Sequence, residues 1–255
     1  AMMTRWLEGS GRPGTYAAFP VKPEDAARVM ALLPALGVAG ANVTAPHKRA
    51  ALAAADDASP SARRLGAANL LTVSDDGMWA HNTDLEGVTA AIRRAQPGGL
   101  NGPAVLIGAG GAAGAALAAF ADLGAPEIRI VNRTPDNAWK LAEALEIEAR
   151  IDVPGRIARA LDGAVVVVNA SAAAPDAPPD LSMTAAGAAV VEMTYAPLRT
   201  PWIEAAEHAG RLAVDGLEML IAQARPSFQM LFGAPPPAEI DMGAYLRGVQ
   251  RAREG

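Results

Sequence analysis

The run Asn42-Val43-Thr44-Ala45-Pro46-His47-Lys48 ends an extended stretch and turns through a proline, which sets several polar groups and one ammonium in a row. Open α/β sheets bind their ligands at strand ends of this kind. Asn69 closes the small-residue run Gly66-Ala67-Ala68, and Asn82-Thr83-Asp84 stands immediately before a helical pattern. A lysine and a carboxylate beside one ligand could pass a proton to or from a hydroxyl or carbonyl oxygen. Each residue alone has a plainer reading: Lys48 as a surface lysine, Asp84 as a helix N-cap, the asparagines as turn residues.

A second chemical feature lies further on. The apolar run Val105-Leu106-Ile107 enters Gly108-Ala109-Gly110-Gly111-Ala112-Ala113-Gly114 and then an alanine-rich helical stretch. The first glycine permits a tight turn, the second lets backbone approach a pyrophosphate, and the small residues that follow allow close helix–strand packing. Helix-terminal amides then face the phosphates. A merely tight strand-to-helix turn is the competing reading, and a second strand ending at Val131 weighs against it. At its tip stand Asn132-Arg133-Thr134, where an NAD-binding unit usually carries an acidic residue. A carboxylate would repel a 2′-phosphate and Arg133 would attract one, so NADP is the expected cofactor.

Composition limits what else the chain could be. With 255 residues and 51% hydrophobic content it has material for two domains. Aromatic residues make up only 4%, so packing must rely on small aliphatic side chains, which favours an α/β fold. There is no cysteine, and His47, His81 and His208 are widely separated, which excludes thiolate chemistry and makes a metal site unexpected. A net charge of −5 without a basic run argues against a nucleic-acid partner. No stretch is long and apolar enough for a membrane span, and the amino end lacks a signal-peptide core. The expected setting is cytoplasmic, as a monomer or homodimer acting on a small molecule.

Patterning supplies the elements that must position these residues. Helical spacing covers 24–35, an extended segment runs from Val38 to Val43, and helices follow from Lys48 and Pro60. Ala67 to Val73 pairs with Met78 to His81 across Asp76-Gly77 as a hairpin. After a helix over 85–95, strands at 104–107, 128–131, 165–168 and 189–192 alternate with helices at 112–123 and 137–145. That order implies parallel pairing through crossover helices. Residues 172–179 read as a loop, 235–237 as a connector, and 216–232 and 238–253 as helices.

Taken together, the segments resemble the shikimate dehydrogenase family along nearly the whole chain. Its pattern NVTxPHK appears at 42–48, GAxN at 66–69 and NTD at 82–84. NRT follows at 132–134, then Asn169-Ala170-Ser171, the YxPxxTP-like run from Tyr195 to Pro201, and GLxML at 216–220 with Gln223-Ala224. Seven such segments in order are highly specific. The resemblance implies reversible NADP-linked interconversion of 3-dehydroshikimate and shikimate, in aromatic amino-acid biosynthesis. It implies an N-terminal substrate-binding α/β domain, residues 1–83 plus 216–255, and a Rossmann-type NADP-binding domain, residues 84–215.

By the same resemblance Lys48 is the principal acid/base and Asp84 its partner, with Thr44, Asn69, Asp84, Tyr195 and Gln223 holding substrate. Gly108, Ala109, Gly110, Gly111, Ala112, Asn132, Arg133 and Thr134 would hold the dinucleotide, and Met193 and Gly216 its nicotinamide end. The chain departs from the family at Leu70, Asn137 and Phe232 and in the alanines after Ser171. The family's opening strand and the two serines that hold the substrate carboxylate have no counterpart, so an amino-terminally shortened chain is expected. Quinate or an amino-substituted analogue is an alternative substrate, and a non-catalytic nucleotide-binding homologue an alternative role.

Overall fold

The computed structural model of the chain describes residues 1–171 and 179–254. The loop expected over 172–179 therefore lies, Pro179 apart, outside the described residues. The first elements are α1 (Met2–Ser10), α2 (Ala26–Leu32), β1 (Gly40–Asn42), α3 (Lys48–Ala54), β2 (Asp57–Ala58), α4 (Pro60–Leu65), β3 (Leu70–Ser74), β4 (Gly77–His81) and α5 (Asp84–Ala95). Then come β5 (Ala104–Ile107), α6 (Ala113–Asp122), β6 (Ile128–Val131), α7 (Pro135–Ala144), β7 (Arg150–Asp152), α8 (Ile157–Leu161), β8 (Val166–Asn169) and β9 (Ala189–Glu192). The last are α9 (Pro201–His208), β10 (Leu212–Val214), α10 (Gly216–Phe232) and α11 (Met242–Glu254). Two compact units divide the chain, Ala1–Asp84 with Gln223–Gly255, and Leu85–Ala222.

The first unit is built on a four-stranded sheet in the order β1-β3-β4-β2, antiparallel except where β2 lies parallel to β4. Alternation along β4 buries Met78 and Ala80 and leaves Trp79 39% exposed, as a half-buried strand requires. Alanines dominate the core (Ala26, Ala51, Ala58, Ala62, Ala68, Ala80, with Met30, Leu71 and Met78), so helices lie close on the sheet. Met3, Trp6 and Leu7 form a buried helical stripe on α1, and Trp6 meets Phe228 of α10 edge-on at 5.7 Å. The hairpin turn is Asp75-Asp76 rather than Asp76-Gly77: Gly77 pairs with Ser74, its φ of 117° favouring glycine.

The second unit carries six parallel strands in the order β10-β9-β8-β5-β6-β7, a Rossmann-type sheet whose order reverses beside β5. Strands β5, β6, β8 and β9 are buried at every position, the mark of a sheet covered on both faces. Helix α6 is buried from Ala115 to Phe120 without a break, which its run of alanines permits. Register pairs Ile107 with Val131 and Asn169, and Asn169 with Glu192. The residues one step beyond, Asn132, Gly108, Ala170 and Met193, consequently stand in one row past the carboxyl edge. Three inter-strand spacings make that row about 14 Å long.

Several elements depart from the sequence pattern. Helix α11 begins at Met242, not 238, and the helical pattern at 24–35 is a short 3-10 turn at Pro23–Asp25 followed by α2. Helices α1, α8 and α9 and strands β2, β7 and β10 are additional. Among the described residues no helix is long and apolar enough to cross a membrane.

Candidate active site

In the first unit, backbone pairing brings three separate segments together before any side chain is considered. Val43 N–H donates to Asn69 O at 2.8 Å, Ala68 N–H to Lys48 O at 2.9 Å, and Asn69 N–H to His81 O at 3.0 Å. The end of β1, the first residue of α3, the approach to β3 and the end of β4 are thereby laced into one patch. A cis peptide joins Ala45 to Pro46 within it.

On that patch Lys48 Nζ donates to Asp84 Oδ2 at 2.7 Å, with the two side chains 18% and 10% exposed. Asn69 Nδ2 donates to Asp84 Oδ1 at 2.9 Å and to Thr83 Oγ1 at 3.0 Å. Thr83 N–H returns a bond to Asn69 Oδ1 at 2.9 Å. Thr83 Oγ1 also lies 3.2 Å from Gln223 Oε1 and 3.2 Å from Ser227 Oγ. The cap reading of Asp84 fails on this geometry. Its own amide is taken by Asn82 Oδ1 at 3.0 Å, while Asn82 Nδ2 donates to Ala67 O, so both carboxylate oxygens are spent on side chains.

Chemically, the cluster is an ammonium held at a fixed point by a carboxylate that is itself fixed by an amide. One of the three Nζ protons goes to Asp84, and among the described residues the other two have no acceptor. A ligand oxygen placed there would meet a ready proton donor. The structure brings Lys48, Asp84, Asn69 and Gln223 together. Thr44 is exposed on the same β1–α3 loop, and Tyr195, 48% exposed, belongs to the second unit. Thr83 and Ser227 were not among the expected site residues. Ser227 follows Gln223 by one helical turn, a spacing visible in the sequence.

In the second unit the glycine turn follows β5. Gly108 has φ 97°, and a Cβ there would lie 3.1 Å from Ser171 N, so both conformation and packing demand glycine. A Cβ on Gly110 or Gly111 would meet nothing within 4 Å among the described residues. The outer side of the turn thus has room for phosphate, and the amino end of the ten-residue α6, whose dipole attracts anions, stands directly behind it. Ala109 and Ala112 complete the turn. Asn132 Nδ2 donates to Thr134 O at 2.7 Å, which braces the loop after β6 and leaves Arg133 and Thr134 exposed. Among the described residues Arg133 makes no ion pair. These residues fit a 2′-phosphorylated dinucleotide.

At the other end of the row, Gly216 packs so closely that a Cβ would lie 2.4 Å from Thr194 O. Met193 follows Glu192, a carboxylate with no solvent exposure. Asn169 Nδ2 donates to both its oxygens at 2.9 and 3.0 Å, Thr194 N–H to Oε1 at 2.8 Å, and Thr200 Oγ1 to Oε2 at 2.7 Å. Sequence reading passed over Glu192, although a charge closing the apolar run Ala189-Val190-Val191 was a visible signal.

Comparison with known proteins places the chain in a family. Residues 1–71 match the family model of the shikimate dehydrogenase substrate-binding domain, and residues 95–177 that of shikimate/quinate 5-dehydrogenase. The chain is 39% identical over 254 residues to a shikimate dehydrogenase (NADP(+)) of Rhodospirillum rubrum, covering 95% of this chain and 90% of that one. The crystal structure of Thermus thermophilus shikimate 5-dehydrogenase in complex with NADP(H) and shikimate superposes with a TM-score of 0.81 at 31% identity, covering 98% and 93%. Quinate dehydrogenase from Corynebacterium glutamicum in complex with NAD gives 0.85 at 26% identity, covering 96% and 93%. With relatives this similar over nearly its whole length, the chain belongs to the shikimate dehydrogenase family.

Proposed function

We propose that the protein catalyses the reversible, NADP-dependent reduction of 3-dehydroshikimate to shikimate, an oxidoreductase reaction at a CH–OH group. The observation that carries the reading is the Lys48–Asp84–Asn69 cluster, a positioned proton donor in a patch of polar side chains. When bound, the nicotinamide supplies the hydride for reduction and takes it back in the reverse direction. Lys48 delivers a proton to the oxygen that becomes the substrate hydroxyl, and in reverse it stabilises the developing alkoxide and receives the proton. Asp84 keeps the lysine aimed, and Asn69 keeps Asp84 aimed. Thr44, Asn69, Asp84, Tyr195 and Gln223 hold the substrate hydroxyls, polar side chains matching a polyol.

Gly108, Ala109, Gly110, Gly111 and Ala112 receive the pyrophosphate, and Asn132, Arg133 and Thr134 the 2′-phosphate end. Met193 and Gly216 form the wall for the nicotinamide. The sequence-based reading of a cytoplasmic monomer or homodimer stands with this proposal. Quinate is the second reading for the substrate, favoured by the likeness to a quinate dehydrogenase.

The test is steady-state oxidation of shikimate with NADP+ by wild type and Lys48→Ala. Loss of the proton donor lowers kcat by about 10²–10⁴-fold while the shikimate KM moves far less. Equal turnover by the variant would remove Lys48 from the mechanism.

A further inference from the structure

Glu192 closes β9 as a fully buried carboxylate. The Asn169 amide and the Thr194 N–H have only hydrogens to offer. The Thr200 hydroxyl, which accepts from Ile203 N–H at 3.3 Å as the N-cap of α9, donates to Oε2 at 2.7 Å, so hydrogen bonds converge on both carboxylate oxygens. Among the described residues no lysine, arginine or histidine pairs with it, and none of residues 172–178 is basic. The side chain is thus held by dipoles, with no cation beside it among the described residues.

Its place matters more than its burial. Glu192 immediately precedes Met193, and Oε1 holds the amide of Thr194, whose carbonyl oxygen is the atom that crowds Gly216. Asn169, on the other side, ends the strand whose next residues pack against Gly108. Resting on the reading that Met193 and Gly216 wall the nicotinamide, we infer that Glu192 selects the redox state of the bound cofactor. In this inference the side chain acts as the carboxylate anion, whose charge favours the cationic oxidised ring over the neutral reduced one, because field lines in a buried setting are weakly screened. A carboxylate that merely braced the loops would support both forms equally.

The experiment compares dissociation constants for NADP+ and NADPH by titration calorimetry, without substrate, on wild type, Glu192→Gln and Glu192→Met. Glutamine keeps the shape and removes the charge; methionine removes it without placing an amide among donors, should the first variant fail to fold. The ratio Kd(NADP+)/Kd(NADPH) is expected to rise roughly 3- to 20-fold in the neutral variants, the range of a screened charge acting across about 10 Å. Glu192→Asp, which keeps the charge, is expected to leave the ratio within about twofold of wild type while weakening both forms. Parallel weakening of both forms in the neutral variants, with an unchanged ratio, overturns the inference. Failure of the wild type to bind either dinucleotide would instead overturn the cofactor reading beneath it.

Discussion

Asp84 spends neither of its oxygens on the helix it begins, and that choice separates a site from a cap. Asn82 supplies the backbone bond, which leaves Asp84 to Lys48 and Asn69. At the cofactor end of the proposed site, Arg133 is exposed and makes no ion pair among the described residues. Arg133→Ala is expected to weaken NADP+ relative to NAD+ by about 10- to 100-fold, the range of a lost charge-assisted bond. Dissociation constants for the two dinucleotides check it, and an unchanged ratio would contradict the phosphate contact. At this scale Lys48, Asn69, Asp84 and Gln223 were legible because each sits in a segment with a recognisable pattern. Thr83, Ser227 and Glu192 were less so, since a hydroxyl on a helix or a carboxylate at a strand end acquires its role only from partners distant in sequence.

Two glycines show how elements constrain the site in different ways. Gly216 at the start of α10 faces Thr194 O, Thr194 C and Tyr195 N, all within 2.8 Å of an added Cβ. Gly216→Ala is therefore expected to cost about 1–3 kcal/mol of stability, read as a shift of the denaturant midpoint. Gly110 faces open space, so Gly110→Ala should leave stability within about 0.5 kcal/mol while weakening NADP+ at least about tenfold by blocking the pyrophosphate. Equal effects of the two substitutions on stability would contradict this contrast. Long periodic elements such as α5 and α6, and the buried strands β5, β6, β8 and β9, were legible from their patterns. Strands β2, β7 and β10 have two or three residues each, too few to display a period of two. Arg150-Ile151-Asp152 even reads as polar because its charges pair along the strand. Helix α1 carried a readable stripe in Met3, Trp6 and Leu7, but its core partner Phe228 lies more than two hundred residues away.

At the scale of the molecule, two sheets of different pairing carry the two halves of the chemistry, and their stability bears on both. His81 ends β4, accepts a hydrogen bond from Asn69 N–H on its backbone carbonyl, and shares a side-chain hydrogen bond with Thr72 across the hairpin. Burial holds its imidazole below the ordinary value. Above about pH 6.5 folded and unfolded states are both neutral there, and stability is at its full value. As pH falls through that point the unfolded chain takes up the proton first, and stability declines until the folded value is passed. His81→Gln removes this contribution, so Tm should depend less on pH across that window, and an identical pH dependence would exclude His81 as its source. The parallel pairing of the second sheet was legible in the alternation of apolar strands and helices, whereas its strand order emerges only from the structure. The mixed sheet was only partly so, because β2 joins β4 through its backbone with little side-chain signature. The most direct measurement of the whole account is turnover by the purified protein with shikimate, quinate and an amino-substituted analogue, each offered NADP+ and NAD+. NADPH production from shikimate, faster than from the other substrates and faster than with NAD+, is the predicted result. Tight NADP+ binding with no oxidation of any of the three would contradict it.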